Sequence, residues 1–251
     1  MSEAVAQPTT SDGSKKRKIE HPTKIKFSDA LRSRIVKIKT REGPEFFVHE
    51  ELLCQESEKF NKQLRGSFKE AQTGEITDCA ESPELLGLFF QYIYGGGSLL
   101  DRDRNEVFTI HDFARLFCMA ERLCANTFQN LVCWKFQVEW LNRKKDRHDI
   151  FRATLVLHTE LPERKGDDYP IRKLVFSFAA FLLSKLKDIP EFKDTIFNQY
   201  PNLGCQLLML AGDGPLPKLY FEGAGKPRPR FVEDVKSIDG ASSGSISEVS
   251  D

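Results

Sequence analysis

The chain has 251 residues, 37 of them basic and 37 acidic, so its formal net charge is zero. That balance argues against a surface given over as a whole to nucleic acid or to an anionic membrane. Apolar residues make up 40% of the chain and Phe alone occurs 20 times, enough to pack one sizeable core or two small ones.

Residues 1–31 are polar, show no hydrophobic periodicity and read as a disordered tail. The opening MSEAVAQPTTSDGS lacks the apolar stretch of a secretory signal. The same tail carries the basic cluster Lys15, Lys16, Arg17 and Lys18. A run of this kind is either a nuclear import signal or a solvated charge run; the first reading puts the protein in the nucleus, the second leaves it in the cytoplasm.

From residue 32 the pattern becomes ordered. IVKIKT (Ile35 to Thr40) alternates apolar and polar positions like a half-buried strand, REGP makes a turn, and EFFVH (Glu45 to His49) returns as the second strand of a hairpin. EELLCQESEKFNKQLRG then reads as two short helices with Leu52, Leu53, Phe60 and Leu64 inward. Ser57 is the N-cap between them, and Gly66 ends the second. EITDC (Glu75 to Cys79) is a short strand. Ser82-Pro83 opens a helix through ELLGLFFQYIY, apolar on nearly every side and so buried on more than one face, and Gly95-Gly96-Gly97 ends it.

After the connector SLLDRDRNEVFTI, a helix is expected from Asp112, with Phe113, Leu116, Phe117, Ala120, Leu123 and Cys124 on one face. Another opens at Asn126 and shows two stripes, Phe128, Leu131, Trp134, Val138 and Leu141 on one side and Cys133, Phe136 and Trp140 on the other. Two stripes call for a C-terminal cover. DIFRATLVLH, IRKLVFSFAAFLLSKLK, PEFKDTIFNQY and CQLLML read as the helices that supply it, separated by LPERKGDDYP, DIP and PNLG. From residue 212 the pattern fades into a Ser-rich acidic end, read as mostly disordered. The run LVFSFAAFLL is too short to span a bilayer.

The middle of the chain resembles a BTB/POZ domain. FFVHEELLCQESEKFNKQL is similar to the strand-His-helix junction of that family, GSFKEAQTGEI to the segment before its next strand, PELLGLFFQYIYGGG to its central helix and Tyr-Gly turn, and FARLFCMAERLCANTFQNLVCWKF to its closing helix pair. GSFKEA and FFQYIYGG resemble the stand-alone fungal members. The resemblance implies an α+β fold over residues 32–142, a small, mainly three-stranded sheet covered by helices. A helical extension over 143–211, BACK-like or simply capping, and a tail from 212 to 251 follow it.

What the resemblance implies about function is protein binding by an adaptor. In BTB adaptors a hydrophobic-x-Glu element docks onto cullin-3 of a ubiquitin ligase, and Phe68-Lys69-Glu70 occupies its place. The other reading is that Phe68 packs under the sheet and Glu70 is solvated. The family's dimer pocket corresponds to Arg34 and Glu50, reversed in sign from the usual acid and base, so an ion pair can survive and homodimerisation stays open. The alternative function is a nuclear transcription-associated scaffold acting by self-association.

No set of catalytic or metal-ligating residues emerges and no cofactor is implied. None of the five His pairs with Cys at a zinc spacing, and His49 reads as a structural core residue. The six Cys form no CxxC pair and read as reduced, intracellular core thiols, Cys118 and Cys124 included. Lys226, Arg228 and Arg230 are too few for direct nucleic-acid binding.

Overall fold

The computed structural model describes residues 25–41, 43–95, 108–142, 146–163 and 169–212. The basic cluster Lys15–Lys18, most of the connector after Gly95 and the C-terminal tail lie outside them. Residues 25–31, expected in the N-terminal tail, are described instead and hold a short helix, α1 (Phe27–Ala30). Ala30 is fully buried and Phe27 packs on the core, so the apolar spacing of these two residues is the signal the tail reading overlooked.

Strands β1 (Ile35–Thr40) and β2 (Glu45–His49) form the antiparallel hairpin, and β3 (Glu75–Cys79) joins parallel to β1, giving the order β2-β1-β3. The pairing Ile38 opposite Phe46 and Val36 opposite Val48 places Val36, Ile38, Val48 and Ile76 on the buried face. Ile35, Lys37, Glu45 and Phe47 share the outer face.

Helices α2 (Glu50–Glu56) and α3 (Glu58–Arg65) follow the hairpin as expected. Ser57 is the cap between them: its hydroxyl accepts from the Phe60 N–H at 3.2 Å and donates to the Leu123 carbonyl at 2.6 Å. A further helix, α4 (Lys69–Thr73), stands where only a linking segment was expected. Gly74 makes it possible, closing it in the left-handed region at φ 69 and offering its carbonyl to the Lys37 N–H of β1.

Helix α5 (Pro83–Gly95) is buried on several faces, from Leu85 and Leu86 round to Tyr92 and Ile93. Phe89 and Tyr92 meet the Phe128 ring at 5.2 and 4.8 Å, which fixes α5 against α7 (Asn126–Asn142). Between them, α6 (Ile110–Arg122) starts two residues earlier than its periodicity suggests. The reason is a capping box: Thr109 Oγ1 accepts from the Asp112 N–H, and the Asp112 carboxylate accepts from the Thr109 N–H.

The C-terminal helices are α8 (Arg147–Glu160), α9 (Pro170–Phe181), α10 (Leu183–Leu186), α11 (Pro190–Lys193) running into a π-helical turn (Asp194–Gln199), and α12 (Pro201–Gly212). The expected continuous helix IRKLVFSFAAFLLSKLK is interrupted at Leu182. PNLG is not a break: Pro201 occupies the first turn of α12, where a missing N–H is harmless. Gly204 lets α12 sit close to the π turn, since a Cβ there would lie 3.2 Å from the Ile196 carbonyl.

These helices share one apolar core with the N-terminal part, but the cover differs from the expected one. On α7 the buried positions are Phe128, Leu131, Val132, Phe136 and Trp140, while Val138 is exposed and Trp134 only half-buried. The two-stripe reading therefore overstated α7. The C-terminal helices reach it through Trp140, whose ring meets Phe178 of α9 at 5.0 Å. Most of the cover goes to α6, along which α8 packs. Asp149 of α8 accepts hydrogen bonds from the Ile110 and His111 N–H groups at 2.7 and 3.0 Å, so a carboxylate of the extension satisfies the first turn of α6.

Replacing Asp149 with Ala strips both N–H groups of their acceptor. The expected loss is about 2 kcal/mol of unfolding free energy, read from urea denaturation, with Asp149→Asn losing less because it keeps one acceptor oxygen.

Candidate protein-binding surfaces

Phe68 is 55% exposed, at the N-cap of α4. It does not pack under the sheet. Its ring lies against Gly66, where an added Cβ would stand 3.1 Å from the ring and 2.4 Å from the Lys62 carbonyl. The glycine that ends α3 thus also seats the aromatic. Glu70 is half-buried in the first turn of the same helix. The structure brings Phe68 and Glu70 onto one short element beside α3, with a large apolar side chain presented to solvent.

That element is braced by Arg34. Its Nε donates to Glu50 Oε2 at 2.7 Å and its Nη1 donates to the Ala71 carbonyl of α4 at 3.1 Å. The sign-reversed pair Arg34–Glu50 therefore forms within one chain and ties the start of β1 to α2 and to α4. Two sites that look separate along the sequence are mechanically joined. Lys37 and Glu45 form a second ion pair across the outer face of the hairpin at 2.9 Å. The Glu45 carboxylate, hydrogen-bonding Lys37, holds that ammonium's pKa above its ordinary value.

His49 is not a core residue. It is half-buried at the junction of β2 and α2, where the Tyr94 hydroxyl accepts from its backbone N–H at 3.0 Å and lies 2.8 Å from its Nδ1. One tyrosine at the end of α5 thereby holds the junction. A polar tether, not burial, holds His49 there.

Polar residues with no motif to announce them tie the extension to α6 and tie its own helices together. Arg122, at the end of α6, makes a two-pronged contact with the buried carboxylate of Glu81 at 2.6 and 3.0 Å and reaches Glu160 of α8 at 2.5 Å. The Glu81 hydrogen bonds, with Glu160, push the guanidinium pKa further up. Arg172 of α9 is buried and donates to the Leu157 and Leu161 carbonyls at 2.9 and 2.7 Å, capping the end of α8. Its only trace in the sequence is a charge beside an apolar run. Arg172 also lines a cleft of about 440 Å³ with His158, Glu163, Phe176, Met209 and Leu210. Burial, followed by the nearby Arg172, lowers the His158 pKa.

Cys54, Cys79 and Cys118 are buried as expected, and burial pushes the Cys54 thiol up to about 11 and that of Cys118 up to about 12. Cys124 and Cys205 are exposed, which corrects the reading of all six as core. Cys124 leaves the α6 stripe because it follows the helix end, at φ 50, in the left-handed region. Among the described residues no His, Cys, Asp or Glu cluster could hold a metal ion, and no helix is long and apolar enough to cross a membrane.

The BTB/POZ domain family model matches residues 31–130, from the loop before β1 into α7. No curated protein matches the chain. The three-stranded sheet, the helices around it and the closing pair α6 and α7 are thus a BTB domain, a protein-interaction domain, followed by a helical region.

Arg34→Ala removes a partly exposed ion pair and is expected to lower global stability by no more than about 1 kcal/mol. It should loosen α4 far more, seen as faster amide exchange at Ala71 and Gly74 than in the wild type.

Proposed function

We propose that this chain, which carries a BTB/POZ domain and acts as a protein-interaction adaptor, is a substrate adaptor of a cullin-3 ubiquitin ligase. The observation that supports it is the exposure of Phe68 on a braced one-turn element, where a docking anchor is required and where a purely structural aromatic would be covered. Aromatic anchors dominate interfaces of this kind, and a nearby carboxylate adds charge-assisted hydrogen bonds. Glu70 stands in that position on the same helix turn. The likeness of GSFKEA and FFQYIYGG to stand-alone fungal members fits an adaptor that uses its own helical extension to hold a client.

A second reading is a self-associating scaffold of transcription complexes, imported through Lys15–Lys18. It is supported by the outer face of the hairpin, where Ile35 and Phe47 are 48% and 63% exposed next to the Arg34–Glu50 pair. Such an apolar pair is suited to a face-to-face contact between two copies.

Light scattering on size-exclusion chromatography, with and without the N-terminal half of cullin-3, separates the two. The adaptor reading expects a stable complex. Phe68→Ala with Glu70→Ala should then weaken it by about 2 kcal/mol or more, roughly 30-fold in Kd, without changing the protein's own melting. An affinity unchanged by both substitutions removes Phe68 and Glu70 from the interface. No complex, with a dimer mass for the free protein that falls to a monomer on Phe47→Asp, selects the scaffold.

A further inference from the structure

Helix α9 packs against both α8 and α12, and the three helices line the cleft of about 440 Å³. His158 comes from α8, Arg172, Lys173 and Phe176 from α9, and Met209 and Leu210 from α12. The volume falls in the range of recognition pockets, roughly 300–1,000 Å³.

Arg172 is the unusual member. It is 8% exposed, and a buried cation is costly unless a counter-charge lies beside it. Its guanidinium carries five N–H donors. Nε and Nη2 are spent on the Leu157 and Leu161 carbonyls, and Nη1 reaches only the Pro162 carbonyl, at 3.4 Å. All of these acceptors are neutral, and one Nη1 N–H meets no acceptor among the described residues. The C-terminal end of α8 offsets about half a unit of charge. Lys173, exposed on the same helix, adds a second cation. Glu163 is the one carboxylate of the lining and is itself exposed.

Beside the cations lies an apolar wall. Phe176 is buried, Leu210 half-buried, and Met209 is 73% exposed. An unbranched, polarisable methionine adapts to varied partners. A rim this open suits a chain that enters and leaves the cleft, whereas a small molecule is enclosed over most of its surface. Arg172 and Phe176 stand four positions apart on α9, about 6 Å at ~1.5 Å per residue. About two residues of extended chain cover that distance.

We propose that the cleft holds an extended peptide segment of a client protein, with an acidic residue against Arg172 and Lys173 and an apolar residue within two positions of it against Phe176, Met209 and Leu210. The acid supplies the counter-charge that Arg172 lacks, through charge-assisted hydrogen bonds, and the apolar neighbour covers Met209. The proposal rests on the adaptor reading but not on cullin-3.

Random peptides displayed on phage and panned against the immobilised full-length protein test it. The enriched sequences should carry Asp or Glu within two positions of Leu, Ile, Met or Phe. Labelled copies of them, followed by fluorescence polarisation, should bind Lys173→Glu with Met209→Asp about tenfold or more weakly than the wild type. Both side chains are exposed, so melting should not change. Glu163→Gln removes the opposing carboxylate and should tighten binding, a gain that misfolding cannot produce. Phe68→Ala with Glu70→Ala should leave the peptide affinity intact, so a failure here and a failure at the cullin surface read separately. No enrichment over an empty surface overturns the proposal, as do enriched peptides without an acid or equal affinity for the Lys173→Glu, Met209→Asp variant. Weaker binding by Glu163→Gln overturns it too.

Discussion

Helix α6 leaves its backbone ends unsatisfied, as any helix does, and the chain meets that constraint with groups from both of its halves. At the N-terminal end, Thr109 and Asp112 close a capping box, and Asp149 of α8 takes the Ile110 and His111 N–H groups. At the other end, the Leu123 carbonyl accepts from the Ser57 hydroxyl, and the first N–H groups of α3 reach the Leu123 and Cys124 carbonyls at 3.4 Å. The C-terminal end of α6 thus abuts the N-terminal end of α3, a favourable meeting of opposite helix-dipole ends. Arg122 adds a bridge from Glu81 to Glu160. Withdrawal of either half would forfeit these bonds and uncover the apolar side chains that α6 shares with both halves.

The same arrangement holds a short exposed element in place. Phe68 sits at the start of a five-residue helix that could not persist alone. It persists because α3 is anchored on α6 through Ser57, because Gly66 admits the ring, and because Arg34 holds the Ala71 carbonyl. An anchor ordered before binding loses less entropy on docking than a floppy one. The C-terminal helices contribute indirectly, by holding α6 through α8.

Much of the BTB part was legible from residue chemistry. The alternation in IVKIKT and the REGP turn before EFFVH specify a hairpin, and Ser57, Gly66 and Pro83 punctuate the helices where their backbone preferences require. Periodicity was less informative where a helix is covered unevenly. On α7, Trp134 and Val138 complete an apolar stripe yet remain half-buried and exposed, because the cover goes to α6 instead. Cys124 belongs to the α6 stripe in spacing but follows the left-handed end of the helix, so it turns outward. The polar ties were not legible at all. Asp149, Glu81 and Arg172 act on residues 11 to 41 positions away, and nothing local marks a carboxylate that caps a distant helix. Phe68 and the Arg34–Glu50 pair were found by family resemblance, but their connection through Ala71 required coordinates.

The central claim is that α6 makes the BTB domain and the helices after it one cooperative unit. Native-state hydrogen exchange at increasing urea measures this most directly, by comparing the opening free energies of amides in α6, α8 and α9. The account predicts that the slowest amides of all three converge on one global unfolding free energy. If α8 and α9 open together at a clearly lower free energy while α6 stays protected, the extension is an independent unit and the account is wrong.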